Sequence, residues 1–206
     1  MKKVAILVDG GYVQKRISRV IGRPSTAEDI ISLAISTLVQ GEGLFRIYYY
    51  GCPPYDRVEV NPLSKERVDF NQTDVCQRQK HTQSALSQME YFACRKGVVQ
   101  FTGWKIRSGV IKELAGRTCN PTDLIPDITQ KHVDMKIGLD VAWLASRQIV
   151  DRIILIAMIP ISSPPSNSPS GRAYKSSWSR SIPILIAILW NTPTRSAPWT
   201  WKNRFR

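Results

Sequence analysis

A chain of 206 residues that is 43% apolar and 22% charged is long enough for one packed domain and too apolar to be disordered by composition. The longest strongly apolar run, residues 182–190, contains Pro183 and falls well short of the ~20 residues that span a bilayer. Four scattered cysteines without a CxxC pair, and only two histidines, argue against a zinc cluster or a disulfide framework, and the net charge of +13 invites a nucleic-acid reading.

At the N-terminus, Met1-Lys2-Lys3 leads into a short apolar run closed by Asp9, with no small-residue cleavage site. This is the pattern of a cytoplasmic protein rather than a secreted one. Residues 4–8, followed by Asp9-Gly10-Gly11, predict a buried parallel strand and a tight turn. Ser25-Thr26-Ala27-Glu28 resembles a capping box, and Ile30, Leu33, Ala34 and Leu38 follow at helical spacing. Residues 44–50 are β-branched and aromatic and stop at Gly51-Cys52-Pro53-Pro54. Residues 73–95 predict an exposed helix, 98–106 a strand, 131–149 a helix, and 152–157 another buried strand. Strands separated by helices imply βαβ units and a parallel sheet.

The composition breaks near residue 157. Residues 158–206 hold seven Lys/Arg and no Asp or Glu, whereas residues 1–157 hold the other 22 bases and all 16 acids. The same 49 residues carry seven of 13 prolines, ten serines and four of six tryptophans. A basic Ser/Pro-rich tail that binds nucleic acid is one reading. The apolar run at 182–190 and the tryptophans do not suit it.

Ligands of open α/β sheets sit outside the carboxyl ends of the strands, where Asp9 is expected. A strand-end aspartate can equally cap a turn. The helix at 131–149 carries a second acidic element. Ile137, Val141, Leu144 and Ala145 form one apolar stripe, and Asp134 and Asp140 flank it, roughly 240° apart around the axis and roughly 9 Å along it. The simpler reading makes Asp134 an acid at the helix N-terminus and Asp140 an i−4 partner of Lys136.

VAILVDGGY at 4–12, IYYYGCPPYD at 47–56, KHVDMKIGLDVAWLA at 131–145 and the RIILIA that follows resemble the NYN domain, a PIN-like nuclease family. The resemblance covers residues 3–157 and implies a Rossmann-like three-layer α/β/α domain with a parallel sheet. It also implies RNA cleavage with divalent metal held by a ring of aspartates, onto which Asp9, Asp134 and Asp140 map. The family usually adds aspartates in a GDSDF-like motif directly after the strand at 152–157. Here that strand runs into Met158-Ile159-Pro160-Ile161-Ser162.

The missing motif and the unusual tail begin together. Met158 is ATG and Ile159 begins AT, so reading from the third base of Met158 forces GAT, an aspartate. The codons that follow permit Ser, Asp and Phe. Synonymous choices through Trp178 permit DSDFIPAIKFAEREGVQVVL, a helical pattern and then a β-rich strand, and residues 189–194 permit VEYAD of the closing segment. Residues 1–157 are therefore read as an NYN domain incomplete at its C-terminus, and residues 158–206 as out-of-frame translation. A native basic tail is the alternative. On the frameshift reading 158–206 has no defined fold, the C-terminal part of the sheet is missing or disordered, and strand 152–157 loses cover.

The expected chemistry is phosphodiester hydrolysis assisted by Mg2+ or Mn2+, with Asp9 and Asp134 as ligands and Asp140 as a ligand or water-orienting acid. Lys136, Arg107 and Lys131 are candidate phosphate contacts, and Tyr12 or Tyr50 could stack on a base of single-stranded RNA. A phosphatase with Asp9 as nucleophile is disfavoured, because such folds commonly carry a second aspartate where this chain has Gly11. A non-catalytic RNA-binding or interaction module is the competing class. No membrane partner is expected, and the sequence leaves the oligomeric state open.

Overall fold

The computed structural model describes residues 1–111 and 117–157, together with the backbone of Tyr174–Ser176 and Ile184–Ala187. In chain order these form β1 (Lys2–Asp9), α1 (Gly10–Ile21), α2 (Ala27–Ile35), β2 (Glu42–Gly51), β3 (Val58–Val60), β4 (Arg67–Asp69), α3 (Asp74–Ser87), β5 (Phe92–Lys96), β6 (Val98–Ile106), β7 (Leu124–Lys131), α4 (Val133–Ser146), β8 (Arg152–Ile156), β9 (Tyr174–Ser176) and β10 (Ile184–Ala187). The main sheet has the order β5-β2-β1-β8-β10-β9, and its first four strands run parallel.

Alternation along each strand builds a core on each face. Val4, Ile6 and Val8 of β1 join Ile47 and Tyr49 of β2 and Ile154 and Ile156 of β8, under Val13 and Ile17 of α1, Ile30 and Ala34 of α2 and Leu86 of α3. Ala5, Leu7, Tyr48, Tyr50 and Ile153 face the other way and meet Ile137 and Leu144 of α4. The chain is therefore an α/β protein with a parallel sheet between helices, and its strands read as continuous apolar runs because both faces are covered. Each fully buried Ile, Leu or Val here contributes about 1.5–3 kcal/mol relative to exposure.

Several expectations change. The predicted helix over 73–95 ends at Ser87, and residues 92–96 form β5 at the sheet edge. Phe92, Ala93 and Cys94 are only half-buried there, so the strand carries too few apolar residues to stand out from the polar helix before it. The strand at 98–106 is not part of the main sheet. It pairs antiparallel with β7, which the sequence pattern does not announce, as an arm beyond β5. Lys131 ends β7 opposite Val98, so α4 starts at Val133 rather than 131. A four-ring cluster of Tyr55, Phe70, Phe101 and Trp104 packs this arm against the β3–β4 hairpin region.

Backbone from the segment expected to lack a fold lies in the sheet. Ile184–Ala187 pairs parallel with β8, Ile184 opposite Ile153 and Ala187 opposite Ile156, and Tyr174–Ser176 pairs antiparallel beyond it. The physical reason is the open edge of β8, whose N–H and C=O groups accept a short apolar, β-prone stretch. Nor is β8 uncovered: Ile153, Ile154 and Ile156 are at most 1% exposed. The remainder of 158–206, including Met158 to Ser162 where the acidic motif was expected, lies outside the described residues.

Candidate functional site

Asp9 is both the last residue of β1 and the N-cap of α1, so it sits where the carboxyl edge of the sheet meets a helix N-terminus. Its carboxylate accepts the Tyr12 N–H at 3.1 Å, the capping role that stands beside a site role in the sequence. Burial pushes its pKa above the usual carboxylate range and the nearby Asp134 charge adds to the rise, against the Tyr12 and Gly11 N–H groups and Lys15. Of the two glycines after it, Gly10 has no room for a side chain and Gly11 is only tightly approached. A Cβ on Gly10 would lie 2.3 Å from the Tyr49 ring, and one on Gly11 would lie 3.2 Å from the Gln130 side-chain oxygen.

Asp134 arrives from the opposite direction. The arm ends at Lys131, His132 adopts a left-handed conformation (φ 67), and α4 begins directly with Asp134 in its first turn. The root of the arm is tight: a Cβ on Gly97 would lie 2.7 Å from both the Cys52 sulfur and the Lys131 carbonyl oxygen. The Cys52 thiol donates to the Val98 carbonyl at 3.2 Å, and burial pushes its pKa up. Asp134 itself is exposed, and its charge bears on Asp9.

Asp140 does not join them. Its Oδ2 accepts the Tyr50 hydroxyl at 2.7 Å and the Arg95 Nε–H at 3.1 Å, and Arg95 also lies 5.5 Å from the Tyr48 ring centroid. The flank of α4 that carries Asp140 rests over β2 and β5, which decides its partners. Lys136, the expected i−4 partner, instead donates to the Lys96 carbonyl at 2.6 Å. Among the described residues, no three or more His, Cys, Asp or Glu side chains converge as a metal ligand set.

The candidate RNA contacts separate in space. Lys131 and Lys136 bracket the start of α4 near the acidic edge. Arg107 follows the far end of β6, where it donates to the Thr122 carbonyl, roughly 25 Å of strand away from the Lys131 pairing position. Tyr12 packs half-buried against the α1–α3 core, and Tyr50 is fully buried. Sequence reasoning missed Gln130, Cys52 and Gln83 around this edge. Cys52 alone had a usable signal, since it follows the second strand at the same carboxyl edge as Asp9. The Gln83 side chain donates to the Cys52 carbonyl at 2.7 Å from a helix whose register no motif marks.

Fold and edge together define an α/β protein whose parallel sheet carries Asp9 at a helix N-terminus, within reach of the Asp134 charge. No family model matches the chain, and no curated protein matches it. Among solved structures it is similar to a protein of unknown function from Vibrio parahaemolyticus, with 18% identity and a TM-score of 0.33 over 75% of this chain. The chain spans 65% of the length of that protein. Among the described residues, no helix is long and apolar enough to cross a membrane.

Proposed function

We propose that this chain is a PIN-like, NYN-type domain built to hydrolyse RNA with Mg2+ or Mn2+, impaired because part of its acidic site is written out of frame. The observation that carries the proposal is the placement of Asp9, with its raised pKa, near Asp134 and beside β8. Val8 pairs with Ile156, so β8 ends next to Asp9. Acids supplied by the D-S-D-F reading would enter at that point. The four cysteines are all free thiols, which suits the reducing cytoplasm.

Two neighbouring carboxylates, Asp9 and Asp134, offer the hard oxygen donors that these ions prefer. They are fewer than a resident site needs, and Asp140 is held elsewhere by Tyr50 and Arg95. The described residues thus do not fit a bound ion, and no hydrolytic step is assigned to them. Unneutralised, Asp9 and Asp134 repel both each other and a phosphodiester. The shortfall of ligands leaves a second reading, a non-catalytic RNA-binding module that holds its strand on bases away from these acids.

The experiment compares the chain as given with one in which a single base is restored near codon 157. Restoration should bring cooperative unfolding, Mn2+ binding by calorimetry and Mn2+-dependent cleavage of single-stranded RNA together. RNA binding without cleavage by the restored protein selects the binding-module reading. Equal cleavage by both chains overturns the frameshift account and makes 158–206 a genuine part of the enzyme.

A further inference from the structure

An open cleft of about 820 Å³ lies beside the acidic edge, and neither the acids nor the bases considered so far line it. Its walls come from the loop after β2, from α3, and from the root of the arm. Pro53 and Tyr55 form one side, Lys80 and Gln83 a second, and Lys96 and Phe101 a third. Gln83 ties the cleft to the edge through Cys52, and the Lys96 backbone holds Lys136, two residues along α4 from Asp134. From its position the cleft continues the carboxyl edge of β2 and β5, on the side away from β8.

The chemistry of the lining is selective. Asp56 is neutralised by Lys80 at 2.8 Å, and Glu59 accepts the Tyr55 hydroxyl. Arg57 and Lys96 are exposed, and among the described residues neither has an ion-pair partner, so the cleft presents uncommitted positive charge. Tyr55 and Phe101 are already stacked, with ring centroids 5.5 Å apart and planes at 23°. Free cations beside partly exposed aromatic rings are what a single-stranded nucleic acid recognises: phosphates meet the cations, and an unpaired base packs against the part of Tyr55 and Phe101 that lines the cleft. A duplex keeps its bases stacked internally and gains only the cations.

We propose that this cleft binds the strand flanking the acidic edge, holding two phosphates at Arg57 and Lys96 and one unpaired base on the Tyr55–Phe101 pair. The assignment rests on the RNA reading above but not on catalysis. Binding there needs no metal and none of the aspartates.

The test uses the full chain in EDTA and a fluorescein-labelled ten-nucleotide single-stranded RNA, read by anisotropy. The double variant Arg57→Glu, Lys96→Glu should weaken binding about tenfold or more and lower the salt slope by about 1.4, near 0.7 for each phosphate no longer neutralised. Both positions are exposed, so folding is not at risk, and unchanged unfolding curves confirm it. A control with the same charge change at the amino edge, Lys2→Glu with Arg19→Glu, should stay within about threefold of the parent, because charges that far from the cleft are screened at physiological salt. A blunt-ended duplex of equal length should bind more weakly than the single strand. Wild-type affinity in the cleft variant, equal binding of the duplex, or equally effective displacement by polyglutamate each overturns the proposal. Metal-free binding that depends on Arg57 and Lys96, without cleavage by the frame-restored protein, removes the nuclease reading and leaves the cleft. Cleavage with cleft-independent binding does the reverse.

Discussion

Tyr50 donates its hydroxyl proton to Asp140 at 2.7 Å, joining the second strand of the sheet to α4 across 90 residues of chain. Tyr50 is fully buried, and burial followed by this bond pushes its pKa far up. Asp140→Ala leaves a buried hydroxyl without its acceptor and should cost about 1–3 kcal/mol, whereas Tyr50→Phe removes only the donor and should cost about 1 kcal/mol. Urea unfolding of both variants measures the difference. An Asp140→Ala protein no less stable than Tyr50→Phe would remove the anchoring role.

The two flanks of α4 should therefore differ in metal response. In the frame-restored protein, Asp134→Ala should lose more Mn2+ affinity than Asp140→Ala, because the Asp134 charge bears on Asp9 whereas Asp140 is held by Tyr50 and Arg95. Calorimetric titration gives the order directly, and an equal or larger loss at Asp140 contradicts it.

Asp9 links the site to pH. Its folded pKa is raised, first by burial and then by Asp134, so folding favours the protonated form. The destabilisation is absent below the ordinary carboxylate value and complete above the raised one, so stability falls as pH rises through that window. Asp9→Asn keeps a capping acceptor but removes the charge, and should melt a few degrees higher than the parent at about pH 7, with the gain vanishing near about pH 3. Asp9→Ala loses the cap and should be less stable than Asp9→Asn by about 1 kcal/mol. Melting curves at both pH values decide it; a neutral-pH melting point at or below the parent's for Asp9→Asn contradicts the strain.

Gly10 is where the helix start and the Tyr49 ring compete for space. Gly10→Ala places a Cβ 2.3 Å from that ring and should cost about 1–3 kcal/mol by overpacking. Tyr49→Leu in the same chain should recover part of the loss. Additive destabilisation of the pair in denaturant titrations would show that the clash is not the cause.

The amino edge carries the opposite pH sign. Burial pushes Glu42 up, but the Val39 N–H and the Arg152 guanidinium at 2.5 Å outweigh it and hold the pKa below the usual range. That stabilisation is present above the unfolded value and lost as pH falls through the lower folded one. Arg152→Ala strands a carboxylate with 6% side-chain exposure and should cost about 3 kcal/mol near neutrality, less below about pH 4. A penalty independent of pH would point to lost packing instead.

The sequence by itself determined the elements that carry dense apolar pattern. Residues 4–8, 44–50 and 152–157 form buried strands, and Ile137, Val141, Leu144 and Ala145 of α4 face the sheet, because burial on both faces demands uninterrupted or strictly periodic apolar residues. Asp9 was legible for the same reason, as the first acid after such a strand. The tertiary structure alone decided which acids and bases meet. β5 and β7 are held by half-buried, mixed residues whose partners lie far away in the chain, so no local period announces them. Their placement ties Asp140 to Tyr50 and Arg95, carries Arg107 away from the edge, turns Lys136 onto the Lys96 carbonyl, and opens the cleft at Arg57 and Lys96. A helical phase states which side of its own axis an aspartate lies on. What stands opposite depends on how α4 rests on β2 and β5, a packing of distant segments that the local pattern of neither can encode.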